Sequence, residues 1–244
     1  VPTLLAVGVL VSIMASLAHE LLGHGTACVI EGGRITLLTF LVFRCDGAGV
    51  LTDGGGPVGA LVMGCLALLA LRAVPARLIT LRVWLFTLGT LGLLWVCGQT
   101  IAEAIDGSDD WGHVATDLAW PGVWHAIVGA MGLAVYVLVL RIAGRIAAPL
   151  AGGRPWRLLL PYLGAVMSAM VLGALWHGDR LGSALDGLLS FGLAPIGYLL
   201  VIRRMPALPA TDAAVRPNLP LLLFTGATWL AFALTIARGI GPLA

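Results

Sequence analysis

Residues 3–29, TLLAVGVLVSIMASLAHELLGHGTACV, decide how this chain is read. The run is apolar for longer than the roughly 20 residues a helix needs to cross about 30 Å of hydrocarbon. Near its end stand His19, Glu20 and His24. Ionisable side chains are costly inside a bilayer, so their presence points to function. The set is also what a zinc hydrolase needs: imidazoles as ligands, and a carboxylate to take a proton from activated water. The spacing is H-E-x-x-x-H, one residue longer than H-E-x-x-H. On an ideal helix an i,i+5 pair stands about 140° apart and cannot share a metal. A π-bulge absorbs one residue and brings such a pair onto one face. The spacing therefore predicts a π-bulge around Leu21–Gly23, eased by Gly23, or else no shared metal. The alternative is that both histidines are structural polar residues at a helix end.

Working outward, composition sets the class. Of 244 residues 59% are hydrophobic and 11% charged, and mean hydropathy is +1.01. A soluble domain carries roughly twice that charged fraction. Seven apolar segments of spanning length run approximately 3–29, 56–74, 78–101, 121–144, 156–176, 182–202 and 219–238. The expected fold is an all-α polytopic membrane protein of about seven transmembrane helices, forming a single membrane domain over 1–244. The first segment has a long core, no basic start and the motif itself, so it reads as a retained helix and not a signal sequence. Residues 33–53 are different: Ile35, Leu37, Thr39, Leu41 and Phe43 alternate, and Asp46-Gly47-Ala48-Gly49 follows as a turn. A β-hairpin or re-entrant element is expected there. Residues 103–118 form an acidic loop and 205–220 a Pro-rich connector.

All 14 basic residues are Arg. With seven spans, the loops on the N-terminal side hold Arg72, Arg77, Arg82, Arg141, Arg145, Arg154, Arg157, Arg203, Arg204 and Arg216. The other side holds only Arg34, Arg44, Arg180 and Arg238, with most of the acids. This bias predicts a cytoplasmic N-terminus and an outer C-terminus, in a bacterial inner membrane. No basic stripe suggests nucleic acid. All five histidines (His19, His24, His113, His125, His177) fall toward the outer side, which suggests one polar cavity. Cys65 and Cys97 read as buried small hydrophobes. Cys28 and Cys45 either pair, if that side is oxidising, or stay free thiols. Trp111, Trp120, Trp124 and Trp176 read as interfacial anchors or as the lining of a substrate entrance. Asp186 faces the cavity or pairs with a neighbour such as Arg180. Gly54-Gly55-Gly56 permits a tight turn and close backbone approach.

The string HELLGH also occurs in the soluble dipeptidyl-peptidase III family of zinc enzymes, a resemblance implying only that the spacing is chemically usable. A longer match joins His19–Gly33, Arg34-Ile35-Thr36, Asp46-Gly47-Ala48-Gly49-Val50, Gly55-Gly56-Pro57-Val58-Gly59 and Ser108-Asp109-Asp110-Trp111 through Pro121 and Trp124. Over residues 15–130 this resembles the site-2-protease-like membrane metallopeptidase family, in its compact members. The resemblance implies a metallopeptidase-like core over 1–130, and assigns no role to the helices of 131–244. It implies a zinc site completed by an Asp about 90 residues after the motif. Asp109 matches the Ser-Asp pattern and is the expected third ligand beside His19 and His24, with Glu20 as general base. Ile105-Asp106-Gly107 resembles the Leu-Asp-Gly version of that motif, and Leu185-Asp186-Gly187 shares its letters at a less suitable distance. Asp106, Asp110, His113 and His177 are the second choices as ligands or their supports.

The leading expectation is therefore an intramembrane zinc peptidase acting on a transmembrane or membrane-associated peptide within the lipid bilayer. The one-sided set of histidines and acids leaves room for an iron-dependent hydroxylase or desaturase acting on an apolar substrate. A non-catalytic metal-binding scaffold or a metal transporter is the third reading.

Overall fold

The structure is a computed structural model, described over residues 1–205 and 215–241. Residues 206–214, most of the expected Pro-rich connector, lie outside the described residues, as do 242–244. Among the described residues seven helices are long and apolar enough to cross a membrane. These are α1 (Pro2–Ile30), α2 (Val50–Ala73), α3 (Ile79–Asp106), α5 (Trp124–Ala151), α6 (Trp156–Gly173), α7 (Arg180–Arg203) and α8 (Leu219–Arg238). A short helix α4 (Asp109–Asp117) sits between α3 and α5. A two-stranded antiparallel sheet, β1 (Arg34–Leu38) and β2 (Phe43–Asp46), follows α1. The multi-pass helical architecture and the strand element thus match the sequence expectation.

Helices α1 and α3 are the most buried spans and form the centre of the bundle. Their apolar faces meet the aromatic core of Phe40, Phe86, Phe191 and Tyr198. Helix α2 crosses α1 closely enough that a Cβ on Gly55 would stand 2.7 Å from the carbonyl oxygen of Gly23. Small residues allow such approach, the usual basis of helix packing where lipid and side chain are equally apolar. The expected Gly-rich close approach is therefore real, but it lies inside a helix and not at a turn. Helix α7 contains a π turn at Leu189–Leu193. The Tyr136 hydroxyl donates to the Ala194 carbonyl (3.0 Å) and accepts from the Gly197 N–H (2.8 Å). It satisfies backbone groups that a break in hydrocarbon would otherwise strand.

The hairpin reverses at Thr39–Val42, where the Thr39 hydroxyl accepts from the N–H groups of Leu41 and Val42. The glycine turn at Gly47, with φ of 83°, leads into α2 instead. There Glu31 closes the helix start, accepting from the N–H groups of Gly49, Leu51 and Thr52 at 2.9–3.1 Å and from the Thr52 hydroxyl. Burial opposes its charge, yet these donors hold the Glu31 carboxyl below its ordinary range. A disulfide joins Cys28 at the end of α1 to Cys45 on β2, deciding between the two readings of that pair. Cys97 is buried as expected, whereas Cys65 is exposed on the outer face of α2.

Both backbone bonds of a bridge between Leu38 and Ile240 are 2.8 Å, so the end of α8 reaches β1. At the other end of the bundle Thr3 donates to the carbonyl of Arg216. Thr3 and Ile240 therefore lie at opposite ends of the bundle, as seven spans require.

Candidate metal centre

Leu17–Gly25 is a π-helical segment within α1. Its i→i+5 bonding places residues five apart one above the other, which is the geometry the motif spacing demands. His19 Nε2 and His24 Nε2 are 3.2 Å apart. The expected bulge is present, and it extends beyond Leu21–Gly23 to the whole motif.

The third donor comes from α4. Asp110 Oδ2 is 3.2 Å from His19 Nε2, and Oδ1 is 3.3 Å from His24 Nε2. His19, Glu20, His24 and Asp110 are all buried. Bonds of about 2.0–2.1 Å to a tetrahedral zinc would set ligand atoms about 3.3 Å apart. The two imidazole nitrogens stand near that edge, and each meets a different oxygen of Asp110 at a similar distance. The group His19, His24 and Asp110 can therefore hold a metal ion.

Proton bookkeeping supports the same conclusion. His24 Nδ1 lies 2.7 Å from the Thr52 carbonyl, and a carbonyl can only accept. A proton therefore stands on Nδ1, and in the neutral ring the lone pair is on Nε2, facing the carboxylate. Such a convergence of lone pairs suits a cation, and the carbonyl partner fixes the tautomer as supports of metal-bound histidines do. Gly56 closes the other side: a Cβ there would stand 2.6 Å from His19 Nε2. The indole of Trp95 stacks on His19 (4.9 Å) and the Phe43 ring on His24 (5.5 Å), limiting both imidazoles.

The expected third ligand, Asp109, is displaced by one residue. It opens α4 in a left-handed conformation, φ 58°, and is exposed where it lines the cavity. That backbone turn delivers the next side chain, Asp110, to the histidines. Asp106 instead accepts from the Ser108 N–H and hydroxyl at 3.0 and 2.8 Å.

The donor group opens into a cavity of about 1070 Å³ that Glu20, Asp106, Asp109, His113 and Asp186 also line. Asp186 thus faces the cavity; Arg180 meets His177 instead, at 2.7 Å. The expectation of one cavity for five histidines holds for three. His177 sits in a separate pocket, and His125 stacks on Trp124 with Nδ1 2.9 Å from the Ala104 carbonyl. Trp111 and Trp120 line a different, apolar groove between α1 and α2. None of the four tryptophans considered as an entrance lines the main cavity.

Three supporting residues were not singled out from the sequence. Gln99 donates to Asp110 Oδ2 at 3.2 Å. Glu103, buried, accepts the Trp111 N–H at 2.7 Å and so fixes the start of α4. Thr52 offers only its carbonyl to His24. Gln99 and Glu103 stand i,i+4 in an apolar helix, a pairing that could have marked a polar face. A backbone carbonyl leaves no such trace.

Comparison with protein-family models, with curated proteins and with solved structures finds no match.

Proposed function

We propose that the protein is an intramembrane zinc metalloenzyme, a peptidase of the site-2-protease-like kind. The observation that carries this reading is the buried triad His19, His24 and Asp110, with Glu20 next to it in a cavity of peptide size. The donor chemistry, two imidazoles and one carboxylate within reach of a single ion, suits zinc. A zinc ion in this place supplies a Lewis acid that polarises a carbonyl and lowers the pKa of water.

The chain's own residues do the rest. His19, His24 and Asp110 set the position of the ion, and Gln99 and Thr52 orient two of them. Glu20 takes a proton on its carboxylate as water attacks the peptide carbonyl, and returns it to the leaving amine nitrogen. A substrate helix must unwind first, because its amides are shielded by their own hydrogen bonds. Strand β2 suits the unwound segment: Phe43, Arg44, Cys45 and Asp46 line the cavity. Its sheet partner β1 already has β2 on one edge and the bridge to Ile240 on the other. Addition of a substrate strand to β2 would align the scissile bond.

The site lies at the bundle end opposite the Arg-rich loops, and that charge bias supports a position on the outer side. The Cys28–Cys45 disulfide at the same end agrees, since disulfides persist in oxidising compartments. An iron-dependent hydroxylase or desaturase finds less support, because the cavity gathers three histidines and not five.

Metal analysis of the purified wild type should find one zinc per chain. Glu20→Gln should keep that zinc and lose hydrolysis of an unwound transmembrane peptide. Absence of stoichiometric metal, or full activity in Glu20→Gln, would overturn the reading; iron together with an oxygen requirement would favour the oxidoreductase.

A further inference from the structure

Where α6, α7 and α8 come together on the face that carries the metal centre, His177, Arg180 and Arg238 line a pocket of about 330 Å³. Its other lining residues, Ala174 and Leu175, are apolar. Arginine is scarce at this end of the bundle: only Arg34, Arg44, Arg180 and Arg238 are expected there. Arg34 faces Asp46 at 3.7 Å. Two of the other three nevertheless converge on one spot, and among the described residues neither has a carboxylate partner. The nearest acid in sequence, Asp179, is engaged in capping α7 through the Gly182 N–H at 2.8 Å.

Arg180 Nη2 lies 2.7 Å from His177 Nδ1. A guanidinium only donates, so this nitrogen accepts and the proton of the ring stands on Nε2. The pocket is therefore lined by two guanidinium groups, one of them giving an N–H to His177, and by an imidazole that keeps its own N–H, with no acid among its lining residues. An anion with several acceptor oxygens resolves that arrangement, and a phosphate matches the fork geometry of arginine. The pocket lies beside the ends of three helices long enough to span a membrane, where headgroups are expected, and basic pockets between spans are a known way to hold anionic lipid. Trp176, against Gly239, supplies an indole at the same level.

We propose that His177, Arg180 and Arg238 form a phosphate-binding site, its phosphate carried by an anionic lipid headgroup or free in solution. The site would be coupled to the sheet. Arg238 is two residues before Ile240, which pairs with Leu38 on β1. Through β1 and β2 that pairing reaches Phe43, stacked on His24.

The test uses wild-type protein in a neutral detergent, titrated separately with phosphatidylglycerol, phosphatidylcholine and inorganic phosphate. Native mass spectrometry counts bound lipid and a thermal melt reads Tm. Saturable phosphatidylglycerol binding that raises Tm, weakened about tenfold or more in Arg180→Gln/Arg238→Gln but unchanged in Arg34→Gln, is the expected result. A matching response to inorganic phosphate assigns the site to phosphate from either source; a response to phosphatidylglycerol without one assigns it to the lipid. No saturable response to either in the wild type overturns the proposal. So does a double variant that binds phosphatidylglycerol as tightly as wild type. If the double variant does not fold, Arg238→Gln alone, at an exposed position, serves in its place.

Discussion

At the scale of residues, the choice between two adjacent carboxylates is the sharpest feature of the proposed centre. Asp110 touches both imidazoles, while Asp109 is exposed beside them. Asp110→Asn should lower zinc affinity by at least about 100-fold, and Asp109→Asn should leave one zinc per chain; competition with a chromogenic chelator measures both. Gln99→Leu, which removes a hydrogen bond to a ligand but not the ligand, should cost about 10-fold to 100-fold. Gly56→Ala tests the wall opposite. Its new methyl would press on His19 and His24, so it should strip the metal and lower Tm, as overpacking of a filled site does. Retention of zinc by Gly56→Ala at wild-type affinity would show that the imidazoles have room the geometry denies them.

At the scale of elements, the hairpin and the start of α2 are held by two devices that can be tested separately. The Cys28–Cys45 bond closes a loop with a sequence separation of 17. Its removal in Cys28→Ser/Cys45→Ser should cost about 3 kcal/mol, seen as a lower Tm in detergent that reductant no longer shifts. Glu31 closes the α2 start, and its folded pKa lies below its ordinary value. A depressed carboxyl adds stability above the unfolded pKa of about 4.3, and loses it as pH falls through the folded value. Glu31→Gln should therefore lower Tm at pH 7, and the gap should close below about pH 4. A gap that stays constant from pH 7 to pH 3 would rule out a charge-dependent cap.

At the scale of the whole molecule, the fold separates an Arg-rich end from the end that bears the triad, the hairpin and the disulfide. Reporter fusions should find a phosphatase active after Gly241 and a cytosolic fluorophore bright before Val1; the reverse pattern would invert the proposed sidedness. Much of this was legible in the residues. Span positions follow from summed apolar transfer energy over about 20 residues, a local quantity, so the seven helices fall where the hydrophobic runs lie. The π segment was legible for a similar reason: two histidines five apart can share a face in only one kind of helical turn. The third donor was not. Whether Asp109 or Asp110 reaches the histidines depends on one left-handed φ at the start of α4 and on how α4 is pinned to Glu103. The same holds for the carbonyl of Thr52, the pairing of Cys28 with Cys45, and the division of five histidines among three surroundings. Sequence by itself determined the spans and the bulged motif, because each is written in one contiguous stretch. Tertiary structure alone decided the partners, because contacts between residues some 90 positions apart depend on helix rotations and turn angles that no local pattern records.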